Sequence, residues 1–190
     1  EATLRLMGER RREAPTIISD VFSCDETRRA LLERLGFTEY RIWDHITERG
    51  LAGPLPEPAL PAGFTIRPAT WDDAAGLAAA RNSAFGTDWT AELYRAAFMA
   101  RPGYRAAREL VVVAPDGRIA AFTILWLDPL NKVGQFEPVG AHRDFQRRGL
   151  AKALMLAGLR ELQRLGMRTA TVEHDATNIA ASALYRSLGF

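Results

Sequence analysis

The chain has 190 residues, 47% of them hydrophobic, with 25 Lys and Arg against 23 Asp and Glu and a single cysteine, Cys24. That length and apolar content can bury a sizeable core of one domain and part of another. The near-balanced, scattered charge excludes the basic patch of a nucleic-acid binder, the lack of an apolar run of ~18 residues excludes a membrane-spanning helix, and one thiol excludes an internal disulfide and fits a reducing, cytoplasmic compartment. Glu1 stands where a start Met would, with no signal-like segment behind it, so the natural start is expected upstream.

In chain order, Thr16 to Phe22 reads as a short strand, and Asp25 or Thr27 as the cap of a helix over Arg28 to Leu35 that Gly36 ends. Tyr40 to Ile46 alternates as a strand. Gly50 to Gly63 holds four prolines and three glycines, which cannot continue a helix or a central strand, and reads as an extended linker. The expected division is therefore 1–49, a linker at 50–63, and a second domain at 64–190.

Past the linker, Phe64 to Pro68 opens with a strand. Thr70 or Asp72 caps a helix over Asp73 to Arg81, and a second helix is expected from Thr90 to Ala100. Leu110 to Ala114 and Arg118 to Leu127 form a hairpin around Pro115-Asp116-Gly117. Lys132 to Ala141 is the next strand. A long amphipathic helix follows Gly149, with Leu150, Leu154, Ala157, Leu159 and Leu162 on one side and Lys152, Arg160, Glu161 and Arg164 on the other. Arg168 to His174 is a strand and Asn178 to Leu188 a helix ending at Gly189. The fold class is α/β, with a mixed, mostly antiparallel sheet flanked by helices.

The stretch Gln146-Arg147-Arg148-Gly149-Leu150-Ala151-Lys152 between strand and helix is an anion cradle. The first amides of a helix have no internal acceptor and carry positive partial charge, Gly149 lets a ligand approach the backbone, and Arg147 and Arg148 add full charges.

Gln-x-x-Gly-x-Ala resembles the acyl-CoA pyrophosphate signature of the GCN5-related N-acetyltransferase superfamily. Asn178, then Tyr185 seven residues later, then Leu188-Gly189-Phe190 resembles the closing signature of the same superfamily. The resemblance implies acetyl-CoA as cosubstrate, no metal, and a primary amine of a small polar molecule as acceptor. The alternative is a non-catalytic acyl-CoA-binding or regulatory module. It also implies a sheet that splays beyond Val139, with the pantetheine arm along Val139, Gly140 and Ala141 and the diphosphate on the amides of Arg147 to Lys152. Asn178 would touch pantetheine or its strand, and Tyr185 would protonate the leaving thiolate. Read without the family, Tyr185 is a core aromatic and Asn178 a helix cap.

Glu137 is the expected general base, placed by alternation on one face with Val139 and Ala141; the competing reading is an exposed or ion-paired strand residue. Glu173 and His174 stand in reserve, His142 lies near the phosphates or in solvent, and His45 has no catalytic case. Asn82, Phe85, Trp89 and Tyr94 are the residues expected to shape the acceptor pocket. Assembly as a homodimer is left open.

The chain also repeats itself. Arg28 to Phe37 parallels Ala181 to Phe190, about one domain length apart. The first copy carries Asp25 and Leu32 where the second has Asn178 and Tyr185, so 1–49 is expected to be the end of a degenerate copy without a proton donor. The second copy is expected to continue past Phe190 with another strand, without which the sheet edge stays open.

Overall fold

The computed structural model describes residues 17–190, in two compact units that divide after Arg41. In the first unit, α1 (Glu26–Arg34) is capped by Asp25, whose side chain accepts from the Arg28 amide. Ile17 to Phe22 is not a strand, since none of the described residues pairs with it; Thr16 lies outside the described residues.

The second unit contains β1 (Asp44–Gly50), β2 (Thr65–Pro68), α2 (Ala74–Phe85), α3 (Ala91–Tyr94), β3 (Glu109–Val113), β4 (Ile119–Asp128), β5 (Val133–Ala141), α4 (Leu150–Arg164), β6 (Thr169–Asp175) and α5 (Ile179–Arg186). The six strands form one sheet in the order β1-β6-β5-β4-β3-β2, antiparallel except for the β5/β6 pair. The first of these strands begins four residues later than the alternation of Tyr40 to Ile46 suggests. It pairs with the outer edge of β6 from Asp44↔Asp175 to Gly50↔Thr169, so the edge expected to stay open is covered.

The two faces of the sheet carry two cores. On one, Leu150, Leu154, Met155, Leu159 and Leu162 of α4 are at most 2% exposed and meet Leu125, Phe136 and Val172. Each fully buried Leu stabilises by roughly 1.5–3 kcal/mol relative to exposure. Gly134 lets this helix lie close to β5, because a Cβ there would strike Leu162. On the other face Leu77, Ala78 and Tyr94 pack on Val111 and Phe122. Beyond Gly50, which closes β1, the Pro/Gly-rich stretch has no helix or strand, yet it is docked: Leu51 and Leu55 are buried, and Gln163 Nε2 donates to the Leu51 and Gly53 carbonyls at 2.7 and 2.8 Å.

The start of α2 is held by Asp73. Arg67 grips its carboxylate with two bonds of 2.7 and 2.8 Å, and Thr70 donates to it from both its amide and its hydroxyl. The Arg67 bond is the main reason the Asp73 pKa falls to about 2, with Thr70 adding to it against the cost of desolvation. A depressed carboxylate contributes stability above its unfolded pKa, about 4, and loses it as pH falls through the folded value. The melting temperature of the wild type should therefore drop more steeply between pH ~4 and ~2 than that of Asp73→Asn; parallel curves would show that the cluster adds nothing.

Candidate active site

Strands β5 and β6 pair only from Val133↔Thr169 to Phe136↔Val172. Beyond that point β5 leaves β6, Val139 to Ala141 stay paired with β4, and a wedge opens. The register against β4 shifts at the same place, from Leu125↔Phe136 to Thr123↔Val139. This is a bulge, and it reverses the alternation of β5. Gly134 and Phe136 face α4 before it, whereas Val139 and Ala141 pack on that core after it and Gly140 faces Phe122 on the other side. Glu137 is thus not on the face of Val139 and Ala141, because strict alternation does not survive the bulge. Its carbonyl is fixed by the Trp126 indole N–H at 2.6 Å.

The same geometry orients the backbone. His142 donates its amide to Ala120 at 2.9 Å, so Gly140, two residues back in the ladder, also turns its backbone toward β4. Val139 and Ala141 turn theirs toward the wedge. The Ala141 carbonyl accepts from Gln146 Nε2 at 3.3 Å, which leaves the Ala141 amide and both Val139 groups facing the opening.

At the end of the wedge lies the turn into α4. Arg147 at φ 61° and Gly149 at φ 77° are both left-handed and tighten the loop, and glycine tolerates that conformation without strain. Among the described residues, no protein acceptor binds the amides of Arg147, Arg148, Gly149, Leu150, Ala151 or Lys152; the first bond of the helix runs from Ala153 to Gly149 at 3.0 Å. Six N–H groups and two exposed arginines fit an oxyanion-rich group such as a diphosphate. Asp144 beside them is already neutralised by Arg118 at 2.8 Å.

Tyr185 is 5% exposed, its ring edge-on to His174 and Phe190. Burial, and then the charge of Glu137, pushes its pKa up to about 12, so it stays protonated across neutral pH. The Glu137 carboxyl is itself held above the ordinary carboxylate range, chiefly by desolvation and then by Glu173, with Arg81 opposing and Asp44 adding to the rise. Asn178 caps α5, its Oδ1 accepting from the Ala181 amide at 3.0 Å, and its side-chain Nδ2 bonds to none of the described residues. His142 accepts from the Asp144 amide, and His174 lines a cavity of about 200 Å³ with His45, Ser182 and Tyr185. No cluster of metal-ligating side chains occurs among the described residues.

Of the four residues expected to shape an acceptor pocket, two are structural. Asn82 is consumed by bonds to Trp89 and Thr87, and Tyr94 is buried with its hydroxyl on Glu109 at 2.5 Å. Phe85 and Trp89 instead surround Arg81, together with Phe98. Sequence reasoning missed Arg81, since a single arginine late in an Ala-rich helix carries no spacing signal.

Comparison with known proteins gives this geometry a family. Residues 74–190 match the "Acetyltransferase (GNAT) family". Mycothiol acetyltransferase of Pseudarthrobacter chlorophenolicus is 31% identical over 87% of the chain, and that of Salinispora arenicola 36% identical over 85%. The chain spans 61% and 55% of those two proteins. A GCN5-related N-acetyltransferase from Sphaerobacter thermophilus superposes with a TM-score of 0.69 at 25% identity, over 89% of this chain and 54% of that one. A tandem GNAT protein from the clavulanic acid biosynthesis pathway gives 0.67 at 17% identity, over 92% of this chain and 59% of that one, a likeness of fold. With a matching profile over most of its length, a splayed β5/β6 pair and an acceptor-free helix start, this chain belongs to the GNAT family of acetyltransferases.

Proposed function

We propose that the protein transfers an acetyl group from acetyl-CoA to a primary amine of a small polar molecule, by direct attack of the amine on the thioester. The observation that carries this reading is the run of acceptor-free amides from Arg147 to Lys152 beside an open wedge whose wall offers Val139 and Ala141 backbone groups. The diphosphate would rest on those amides with Arg147, Arg148 and Gln146 around it, and the pantetheine amides would pair along the wedge. Glu137 would take the proton from the acceptor ammonium, directly or through water, so that the neutral amine attacks, and a wedge amide at Val139 would donate to the developing oxyanion. Tyr185 would protonate the departing thiolate. The relatives' name, mycothiol acetyltransferase, supports a small-molecule acceptor.

We further read the first unit as the end of a degenerate acetyltransferase copy in a cytoplasmic tandem protein. In support, its α1 and the later α5 are each capped by a side chain three residues ahead of its partner amide, Asp25 and Asn178, and each is followed by a left-handed glycine at φ 84°. The greater length of the relatives is compatible with a longer chain, and among the described residues no helix is long and apolar enough to cross a membrane.

The first test is thermal. Acetyl-CoA at ~100 times its dissociation constant should add ~2.7 kcal/mol to the stability of the wild type; no shift removes the proposal. The second is kinetic. A base with a raised pKa is active above that pKa, so kcat/KM should rise with pH through it. Glu137→Gln should lower the rate by about 10²-fold and erase that limb. Stabilisation by acetyl-CoA without turnover on any amine would instead identify a binding module.

A further inference from the structure

Arg81 lies near the end of α2, half a turn from Ser83, whose hydroxyl accepts the Arg143 amide just beyond β5. This part of the helix therefore runs over the half of β5 that has left β6. The guanidinium sits 4.3 Å from the Trp89 ring centre and 5.2 Å from those of Phe85 and Phe98. Trp89 is stacked on Phe98 at 5.3 Å and pinned by two backbone bonds to Asn82, so the box is preorganised. Within it Nε and Nη1 are buried with no hydrogen-bond acceptor among the described residues, whereas Nη2 is not one of the buried, unpartnered atoms.

A guanidinium stays charged at every physiological pH, and leaving its buried donors unmatched is costly. Cation–π contact recovers part of that cost but supplies no acceptor. The Glu137 carboxyl feels the negative charges of Glu173 and Asp44 and the opposing positive charge of Arg81, so the surroundings of the guanidinium are dipolar.

The geometry points to Arg81 as a specificity residue that binds a carboxylate carried by the acceptor amine, so that the substrate class is a zwitterionic, amino-acid-like molecule. This rests on the acetyl-transfer reading for its chemistry, though not for its binding. The ammonium end is drawn toward Glu137 and its acidic neighbours, while the carboxylate meets the free edge of Arg81. Phe85, 46% exposed, borders the guanidinium with its ring centre 5.2 Å away, and a bidentate grip requires this ring to move aside. A single guanidinium carries one positive charge, which matches a monoanion more closely than a dianionic phosphate.

The test uses acetylated products in the presence of CoA, so that binding is read without turnover. N-acetylglycine, N-acetyl-β-alanine and N-acetyl-γ-aminobutyrate are titrated beside their carboxamides and beside N-acetylaminoethyl phosphate. The Arg81 Nε–H resonance, assigned by its loss in Arg81→Lys, should move with at least one carboxylate and with no carboxamide. In turnover, the matching free amine should be preferred over its carboxamide by about 10- to 100-fold in kcat/KM, the range for a hydrogen-bonded charge. That preference should shrink in Arg81→Lys and vanish in Arg81→Met, with the acetyl-CoA thermal shift certifying that each variant is folded. A resonance unmoved by all three carboxylates, a larger response to the phosphate, or a preference that survives Arg81→Met overturns the inference. A resonance that moves while no amine is acetylated leaves the carboxylate site standing and removes the acetyl-transfer reading.

Discussion

Tyr185→Phe should lower kcat by about 10²- to 10³-fold and leave the thermal stabilisation by acetyl-CoA in place, as expected for loss of one general acid. The substitution is clean because the ring keeps its edge contacts with His174 and Phe190. No hydrogen bond links the hydroxyl to another of the described residues, so its loss opens no unpaired partner among them and the melting temperature should barely move. A thiolate leaving into a partly desolvated cleft needs a proton at once, and a phenol with a pKa near 12 still holds one at any pH where the amine is neutral. A pH profile in which the variant differs from wild type only in height would fit an acid that never ionises in the working range. Equal rates for the two proteins would take Tyr185 out of the mechanism.

Arg147→Glu should cut acetyl-CoA affinity by about 100-fold or more. A charge-assisted bond to a phosphate contributes about 1.5–3 kcal/mol, and the new carboxylate adds repulsion where the amides invite an anion. Backbone geometry is not the variable, since Arg147 already has φ 61° and glutamate meets the same strain there. At a ligand concentration that gives the wild type ~2.7 kcal/mol of stabilisation, a 100-fold weaker variant retains only about 0.4 kcal/mol. Differential scanning fluorimetry resolves that gap. If the shift persists, the diphosphate does not lie on this helix start.

Much of this fold can be read from residue order alone. The Pro115-Asp116-Gly117 turn, the Leu-rich stripe of α4 and the glycine that opens it are local signals, and each yields its element within a residue or two. The misses share one cause, which is that a neighbour decides. Val111 and Val112 make a strand because β2 and β4 pair with them on either side, but Ile17 to Phe22 does not, because none of the described residues pairs with it. The expected helix from Thr90 to Ala100 keeps only one α-turn, Ala91 to Tyr94, before widening into a π-type turn over Arg95–Met99. The widened turn carries Phe98 onto Trp89. At the candidate site the cradle was legible, since it depends on one contiguous loop. The bulge that turns Glu137 away from Val139 was not, because it exists only as a register shift against Thr123 and Leu125. The box around Arg81 gathers Phe85, Trp89 and Phe98 from one helix, a loop and the widened turn, a convergence no linear pattern encodes.

The outermost strand of the sheet has a consequence for the life of the molecule on the ribosome. Thr47 donates its hydroxyl to the Val172 carbonyl 125 positions further along, so β1 is made well before the strand it pairs with. Until β6 emerges, Asp44 to Gly50 has no ladder to join, and nascent chains crowded together can lend that segment to one another. A chain shortened to begin at Phe64 would carry the reverse hazard: β6 would be left bare from Thr169 to Asp175, and recovery of monomer should then depend on supplying the missing heptapeptide in trans.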